Sequence, residues 1–305
     1  MTPLRAKYIR GLAIRGRAVR TQQAYTSFVA DLAGYYHRSP ERISYEEVTV
    51  WIEHLIRDRH LCASSVNIAV NAVRFLYGVT LGRDTAALLS AIPRMKRNTR
   101  RAEVYARTEI EALLTAPPQP RDRAFLMTVY AAGLRLSEAI ALRTTDIDRP
   151  RMQLRVRHGK GAKERVLPLS PRLLQELHHY WLAQRAKPRP GHDCPWLFLG
   201  TKANQPINKA TGQNIYYRAV QKSGVRRKGG IHLLRHSFAT HCIESGLELT
   251  LVQRLLGHAS LLTTARYLHV TAARLGQVRS PLDLIEFSAL APACASTADR
   301  PQRPA

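Results

Sequence analysis

A short set of basic, aromatic and imidazole side chains stands out in the last third of the chain. His232 and Arg235 lie three residues apart, His258 follows in a Leu-Leu-Gly-His turn, and Tyr267 comes nine residues later. Arginine offers a planar fork of donors that matches phosphate oxygens, and histidine can donate to the same group or move a proton. Tyrosine can act as a covalent nucleophile. The order and spacing of these residues indicate a site that binds a phosphate.

Arg135 stands in a bend between two apolar segments that are predicted to be buried helices, with Ser137 predicted to cap the second one. A charge in such a place is costly unless it has a partner. Two interpretations remain open. Arg135 pairs with a local carboxylate such as Glu138, or it is available to bind a phosphate.

A lysine is predicted at the tip of a β-hairpin. Residues 153–157 and 164–169 each alternate polar and apolar side chains, and the intervening turn contains Gly159, Lys160 and Gly161. The glycines let the backbone bend sharply beside Lys160. The full Walker pattern is absent, and no helix is predicted to follow the strand directly, so a nucleotide-binding loop is excluded.

These residues together could perform chemistry at a phosphodiester. Two arginines could hold the nonbridging oxygens and neutralise the charge of a pentavalent transition state, while a tyrosine attacks phosphorus. A lysine at a hairpin tip could protonate the leaving oxygen. The sequence offers no cluster of carboxylates for magnesium, so no metal or other cofactor is expected. The candidate catalytic residues are Arg135, Lys160, His232, Arg235, His258 and Tyr267.

A zinc site is the competing interpretation of the histidines. His232 and His236 have the spacing of a zinc-binding pair on a helix, and His241 follows. However, Leu233 occupies the position where a metalloprotease needs its glutamate, and no third ligand is evident. We therefore expect His236 and His241 to pack and hydrogen-bond inside the domain.

The charge balance favours a polyanionic partner. The 305 residues include 47 Lys+Arg against 22 Asp+Glu, a formal net charge of +25. Each phosphate that such a surface neutralises releases a counterion and adds affinity. The alternative, a basic surface that only improves solubility, fits a bias of this size less well. A nucleic acid is the expected partner.

The remaining composition points to a cytoplasmic protein without a membrane segment. The cysteines Cys62, Cys194, Cys242 and Cys294 have no short paired spacing, which argues against disulfides and a thiolate zinc site. No apolar run approaches the roughly 20 residues that span a bilayer. The N-terminus carries positive charge without an apolar segment behind it, so it does not resemble a secretory signal.

The elements that must position these residues are predicted to be mainly α-helical with a small β-hairpin or sheet. Helical spacing over residues 21–92 predicts a bundle of three or four helices, with starts at Thr21 and at Ser64 or Ser65. The predicted domains are 1–92, a linker at 93–103, and 104–287, in which Thr108 starts a helix. Residues 288–305 are rich in Ala, Pro, Ser and Thr and are expected to be disordered.

The predicted linker is strongly basic. Such a run is usually a solvated segment, and it is also what a segment crossing a DNA backbone between two domains would look like. The two interpretations are compatible. The candidate DNA-binding residues are Arg94, Lys96, Arg97, Arg100, Arg101 and, in the hairpin turn, Lys163.

Five motifs together resemble the tyrosine recombinases, the phage-integrase family that includes the Xer and integron integrases. They are Leu-Arg-Leu-Ser-Glu at 134–138, Gly-Lys-Gly-Ala-Lys-Glu-Arg at 159–165, His-Leu-Leu-Arg-His-Ser-Phe-Ala-Thr at 232–240, Leu-Leu-Gly-His-Ala-Ser at 255–260, and Tyr267. The resemblance runs from about residue 104 to 275. Residues 20–25 resemble that family's core-binding domain. The resemblance implies a SAM-like helical N-terminal domain and an α+β catalytic domain.

The resemblance also implies a reaction. Tyr267 would form a 3′-phosphotyrosine bond with DNA and free a 5′-hydroxyl, with His232 assisting proton transfer and Lys160 as general acid. Lys163 lies in the same loop and could share or take the role of Lys160. The covalent link conserves the phosphodiester energy, so neither ATP nor a metal is required. The scissile phosphate would be bound by Arg135, Arg235 and His258.

The implied assembly is a tetramer on two DNA sites, with residues 275–287 packing into a neighbouring protomer. The short distance from Lys160 to His232 fits a mobile-element or Xer-like recombinase better than an integron integrase, and it does not distinguish transposition, integration, excision and dimer resolution. Two alternatives remain: a non-catalytic DNA-binding protein, and a nicking-closing enzyme of the type IB topoisomerase kind.

Overall fold

The computed structural model describes residues 2–92, 95–96, 103–157, 164–185, 194–201, 204–258 and 260–265. The chain divides into two compact units, Met1–Arg100 and Arg101–Ala305. The predicted segments 275–287 and 288–305 lie outside the described residues, as does most of the predicted linker, so these limits stay predictions. The described residues are mainly helical with one small sheet, which confirms the predicted fold class.

The first unit is a helical bundle. Its interior contains Trp51, Leu55, Val66 and Leu76, all fully buried. A 3₁₀ turn at Pro40–Arg42 follows the second helix, and a π-helical turn at Phe75–Thr80 follows the fourth. The helices are α1 (Pro3–Ile14), α2 (Val19–Tyr36), α3 (Tyr45–Arg57), α4 (Ala63–Arg74) and α5 (Ala86–Ala91).

In this unit two helix starts differ from the sequence predictions and one helix was not predicted. Helix α1 was missed, although Thr2 accepts from the Arg5 N–H and Pro3 occupies the first helical position, both of which are start signals. Helix α2 begins at Val19, before the predicted cap Thr21. Helix α4 begins at Ala63, before the predicted serine caps. Thr2 therefore caps α1, whereas Ala18 and Cys62, the N-cap residues of α2 and α4, make no side-chain capping hydrogen bond.

The second unit contains eight helices among the described residues. Helix α8 begins at Leu136, so Arg135 rather than Ser137 is its N-cap, and α6 begins at Arg107 rather than after Thr108. The helices are α6 (Arg107–Thr115), α7 (Pro120–Ala131), α8 (Leu136–Ile140), α9 (Pro171–Arg185), α10 (Lys209–Ser223), α11 (His232–Glu244), α12 (Leu249–Leu256) and α13 (Leu261–Ala265).

The sheet confirms the predicted hairpin and adds a strand. Strands β1 (Ile147–Asp148), β2 (Gln153–Val156) and β3 (Arg165–Pro168) are antiparallel in the order β1-β2-β3. Leu154 pairs with Leu167 in this register, and both are buried, which fixes the face that packs on the helices. Strand β1 has two residues, too few to show an alternating pattern in the sequence.

The core of the second unit holds the long helices together. The rings of Phe125 and Phe198 meet edge to face with centroids 5.2 Å apart, and the hydroxyl oxygens of Tyr105 and Tyr216 are 2.8 Å apart. All four side chains are fully buried. Among the described residues, no helix is long and apolar enough to span a bilayer.

Gly133, which follows α7, is expected to tolerate no side chain. Its φ is +56°, and an added Cβ would lie 2.7 Å from Cε1 of Phe238 and 3.1 Å from Cδ2 of Leu256. The left-handed backbone alone costs an alanine about 1–3 kcal/mol, and the clash adds to this. We therefore expect Gly133→Ala to lower the free energy of unfolding by more than ~3 kcal/mol in chemical denaturation.

Gly224 provides the matched control for this prediction. It has φ +69° at the end of α10, and an added Cβ would meet nothing within 4 Å. Gly224→Ala should therefore show the backbone cost alone. Equal losses of stability in the two variants would contradict the packing argument.

Candidate active site

Helix α11 carries the first pair of predicted site residues. His232 is its first residue, and Arg235 lies one turn later on the same side. The rings of His232 and His236 meet edge to face with centroids 4.8 Å apart. Leu234 is fully buried on the opposite side and anchors the helix in the core. The helix therefore holds an imidazole and a guanidinium at a fixed separation.

Arg235 joins two segments that carry other predicted site residues. Its side chain is 1% exposed. Nη1 donates to the carbonyl of Gly133 at 2.7 Å, and Nη2 donates to the carbonyl of Leu256 at 2.6 Å. Gly133 lies two residues before Arg135, and Leu256 lies two residues before His258. The guanidinium therefore holds the two turns at the site.

Arg135 is fixed by Glu138, as one of the two sequence interpretations predicted. The Arg135 N–H donates to Glu138 Oε2 at 2.9 Å, which fixes the start of α8, and Nη1 donates to Oε1 at 2.7 Å. The Arg135 side chain is 22% exposed, so it presents more surface than Arg235 to an incoming anion. The ion pair does not contradict the phosphate interpretation, because the guanidinium has several N–H donors.

Glu138 is the buried carboxylate around which three arginines gather. Arg165 donates from Nη1 to Oε1 at 3.1 Å and from Nη2 to Oε2 at 2.7 Å, and Arg235 Nη1 lies 3.7 Å from Oε2. Burial raises the pKa of Glu138, but the hydrogen bonds from Arg165 and Arg135 outweigh it and lower the pKa to about 2. The three guanidinium groups and the one carboxylate together carry a net charge of +2 around Glu138.

His258 sits in the turn after α12. Gly257, with φ +62°, ends that helix, and His258 Nδ1 lies 3.0 Å from Oγ1 of the buried Thr264. Gln253 Nε2 donates to the carbonyl of His258 at 3.1 Å. Burial lowers the pKa of His258 to about 4, and the positive charges of Arg235 and Arg135 act in the same direction.

Both site histidines are therefore neutral at pH 7 in the free protein. The pKa of His232 is also lowered, first by burial and then by the charges of Arg235 and Arg135. A neutral imidazole can both donate and accept a hydrogen bond, which a site for proton transfer needs. An approaching phosphate would bring negative charge and raise both pKa values.

The structure brings together four of the six predicted catalytic residues. These are Arg135, His232, Arg235 and His258, whose charges act on one another. Lys160 and Tyr267 lie outside the described residues. Of the predicted DNA-binding residues only Lys96, an exposed side chain, is described; the others, Arg94, Arg97, Arg100, Arg101 and Lys163, are not.

Two features bear on the interpretation of the remaining polar residues. His241 is buried and its Nδ1 lies 2.8 Å from the Tyr130 hydroxyl, which confirms the expected packing role. In the described part of the chain, no group of three His, Cys, Asp or Glu side chains is arranged to hold a metal ion. The sequence analysis gave no role to Arg165. The argument that a buried charge needs a partner, applied there to Arg135, was the signal that could have identified it.

Comparison with known proteins decides the family. The Phage integrase family model matches residues 103–274, and the model of the phage integrase N-terminal SAM-like domain matches residues 4–87. The chain belongs to the phage integrase family. It is a tyrosine recombinase by that membership, and its two matched regions cover most of its length.

Full-length relatives support the same assignment. The recombinase is 35% identical over 292 residues to an integrase/recombinase of Sinorhizobium fredii, covering 96% of this chain and 92% of that protein. It is 32% identical over 280 residues to tyrosine recombinase XerA of Thermococcus kodakarensis, covering 90% and 93%. Both alignments include the N-terminal and C-terminal parts of the chain.

Solved structures establish the fold of the recombinase independently. The XerH site-specific recombinase bound to palindromic difH substrate, in a post-cleavage complex, aligns with TM-score 0.68 at 22% identity over 88% of this chain and 82% of that one. The Tn1549 transposon integrase in complex with transposon right end DNA aligns with TM-score 0.68 at 15% identity over 92% and 100%.

Proposed function

We propose that this chain is a site-specific recombinase that breaks and rejoins double-stranded DNA through a 3′-phosphotyrosine at Tyr267. The observation that carries the proposal is the convergence of Arg135, Arg235 and two neutral histidines at one place with excess positive charge. A scissile phosphate is the anion that such a site would activate. The XerH and Tn1549 complexes with DNA support the choice of substrate.

The proposed reaction balances without a metal or ATP. The Tyr267 oxygen bonds to phosphorus as the bond from phosphorus to the 5′ oxygen breaks. The phenol proton leaves toward His232, and Lys160, or Lys163 in its place, gives a proton to the 5′ oxygen. Attack by the 5′-hydroxyl of a partner strand reverses the step and releases the tyrosine.

The charges of the site supply the stabilisation that this reaction requires. Arg135 is exposed enough to donate to a nonbridging oxygen, and Arg235 contributes positive charge from the interior. His258 donates a hydrogen bond to the same phosphate, and its low pKa rises as the anion binds. Removing one preorganised donor at such a site typically costs 10²–10³-fold in rate, roughly 3–4 kcal/mol.

The proposed assembly is four protomers on two DNA sites, with residues 275–287 of each protomer docked on its neighbour. The net charge of +25 supports extensive contact with DNA backbones. The basic residues of 93–103 would cross the backbone between the two domains. The proposed location is in the cytoplasm on the bacterial nucleoid.

The test is covalent trapping on nicked DNA from the ends of the element that encodes the protein. We expect wild type to give a band of protein joined to DNA on a denaturing gel, and Tyr267→Phe to give none. Lys160→Ala should cleave far more slowly; normal cleavage by that variant would assign the general acid to Lys163. Tyr217→Phe removes a phenol from α10 in the same unit and should match wild type.

Two outcomes would contradict the proposal. DNA binding by wild type with no adduct on any candidate site would favour a non-catalytic DNA-binding protein. Relaxation of a supercoiled plasmid without a recombination site would favour an enzyme of the type IB topoisomerase kind. Each outcome is read from the same protein preparation, so the alternatives are separated directly.

A further inference from the structure

We propose that Arg165 is a positioning residue for DNA cleavage, acting through Glu138 on Arg135 and through the Leu255 carbonyl on the turn that carries His258. The inference rests on the proposed function. Arg165 is the first residue of β3, and its side chain is 10% exposed. It therefore lies beneath the site and does not need to touch DNA.

The contacts of Arg165 link three separate parts of the chain. Nη1 and Nη2 reach the two oxygens of Glu138 at 3.1 and 2.7 Å, and Nε donates to the Leu255 carbonyl at 2.9 Å. Glu138 in turn accepts from both the backbone and the side chain of Arg135. One side chain therefore sets the sheet against the start of α8 and the end of α12.

The packing around Arg165 is close. Gly257 follows Leu256 at the end of α12, and a Cβ added there would lie 3.3 Å from both Cδ and Nη1 of Arg165. A side chain at position 257 would therefore press on Arg165, and the glycine leaves room for the guanidinium beside the turn that leads to His258. A displacement of Arg165 moves the turn as well as Glu138.

The chemistry of the contacts requires arginine. Three different nitrogens of Arg165 are used at once, two on the carboxylate and one on a carbonyl. A lysine has one nitrogen at the end of a flexible chain and lacks the planar fork, so it cannot reproduce this geometry. It does retain the positive charge, which allows position and charge to be tested separately.

The effect on Arg135 follows from the shared carboxylate. Without Arg165, burial of Glu138 is opposed by fewer hydrogen bonds, so its pKa rises and its hold on Arg135 weakens. Misplacing a catalytic group by about 1 Å can cost ~10²-fold in rate. We expect a loss of that size in the cleavage step, with DNA affinity little changed, because the Arg165 side chain is 10% exposed and offers little surface to DNA.

The experiment measures single-turnover cleavage of nicked DNA at saturating protein by wild type, Arg165→Gln and Arg165→Lys. Each variant is run on a normal scissile phosphodiester and on a methylphosphonate, in which a methyl group replaces one charged nonbridging oxygen. That substrate needs less charge neutralisation from Arg135. We expect the ~10²-fold deficit of both variants to shrink to less than ~10-fold on the methylphosphonate.

Arg123→Lys is the matched control. Arg123 donates from Nε to Glu176 at 2.6 Å, a partly buried ion pair in the same unit that involves none of the site residues. Its cleavage rate should equal wild type on both substrates. Circular dichroism and thermal unfolding check each variant, and Arg165→Lys carries the comparison if Arg165→Gln does not fold.

Three results would overturn the inference. The first is cleavage by Arg165→Lys at the wild-type rate. The second is an equal deficit on both substrates, the sign of a general structural defect. The third is recovery on a 5′-phosphorothiolate, whose sulfur leaving group needs no proton, since that places the defect in the general acid. A wild type that forms no adduct contradicts the proposed function itself, which is a distinguishable failure.

Discussion

Arg235→Lys is expected to destabilise the recombinase and to abolish measurable cleavage under standard conditions. The guanidinium donates to the Gly133 and Leu256 carbonyls, which no single ammonium can reach in the same geometry. A buried acceptor left without its donor costs about 1–3 kcal/mol, so two of them predict a loss of roughly 2–6 kcal/mol. This loss falls on the free energy of unfolding.

The loss of cleavage has a separate cause. The two carbonyls lead into Arg135 and His258, so Arg235 sets the positions of two other groups as well as contributing charge. One displaced donor typically costs 10²–10³-fold, and here several move together, so we expect a loss of at least ~10³-fold. The measurement is single-turnover cleavage at a temperature where the variant is folded, together with urea unfolding.

Arg218→Lys is the control for this comparison. Arg218 pairs with Asp122 at 3.3 Å, and its side chain is 62% exposed, so exchanging it should leave stability within about 0.5 kcal/mol of wild type. Retention of near-normal cleavage by Arg235→Lys would mean that the charge alone is needed. The two hydrogen bonds from Arg235 to the Gly133 and Leu256 carbonyls would then have no importance for cleavage.

The sequence was sufficient for the periodic elements and for four candidate site residues that the structure brings together. The spacing of His232 and Arg235 predicts that they share one side of a helix, and α11 places them there. Two alternating runs predict the hairpin, and β2 and β3 pair as expected. These features are visible because helices repeat every 3.6 residues and strands every two, so side-chain type reports the buried face.

What the sequence could not show are contacts made over long distances or by the backbone. Arg165 and Glu138 are 27 residues apart, and nothing in the spacing predicts that they meet. The acceptors for Arg235 are carbonyls, which every residue has. Helix starts were misplaced by two or three residues. Helices α6 and α8 begin where Glu109 and Glu138 accept from the backbone N–H groups of their N-cap residues, a contact that the type of the N-cap residue does not reveal. The candidate site residues could be named from the sequence, whereas the contacts that hold four of them in place could not.

Glu138→Gln is expected to remove a large part of the acid sensitivity of the fold. Burial raises the pKa of Glu138, but hydrogen bonds from the arginines outweigh it and lower the pKa from 4.5 to about 2. Because the folded-state pKa is depressed, the stabilisation is fully present above pH 4.5. It is lost as the pH falls toward 2. The shift corresponds to roughly 3 kcal/mol.

The measurement is urea unfolding of wild type and Glu138→Gln between pH 7 and pH 2. At neutral pH the variant should be less stable by about 3–5 kcal/mol, because it leaves buried guanidinium charge uncompensated. The two curves should approach each other near pH 2, where about half of the wild-type carboxyl groups are protonated and most of this stabilisation is lost. Glu176→Gln, at the carboxylate paired with Arg123, gives the matched control for an ion pair away from the site.

A constant difference between the two curves across this pH range would show that the carboxylate charge is not what holds the arginines. Convergence would instead tie acid sensitivity to the group that positions Arg135. The same variant should then cleave slowly at neutral pH, because Arg135 loses the charged partner that accepts from both its backbone and its side chain. The free energy of unfolding and the cleavage rate would therefore both depend on the ionised Glu138 carboxylate. Both should fall over the same acidic pH range.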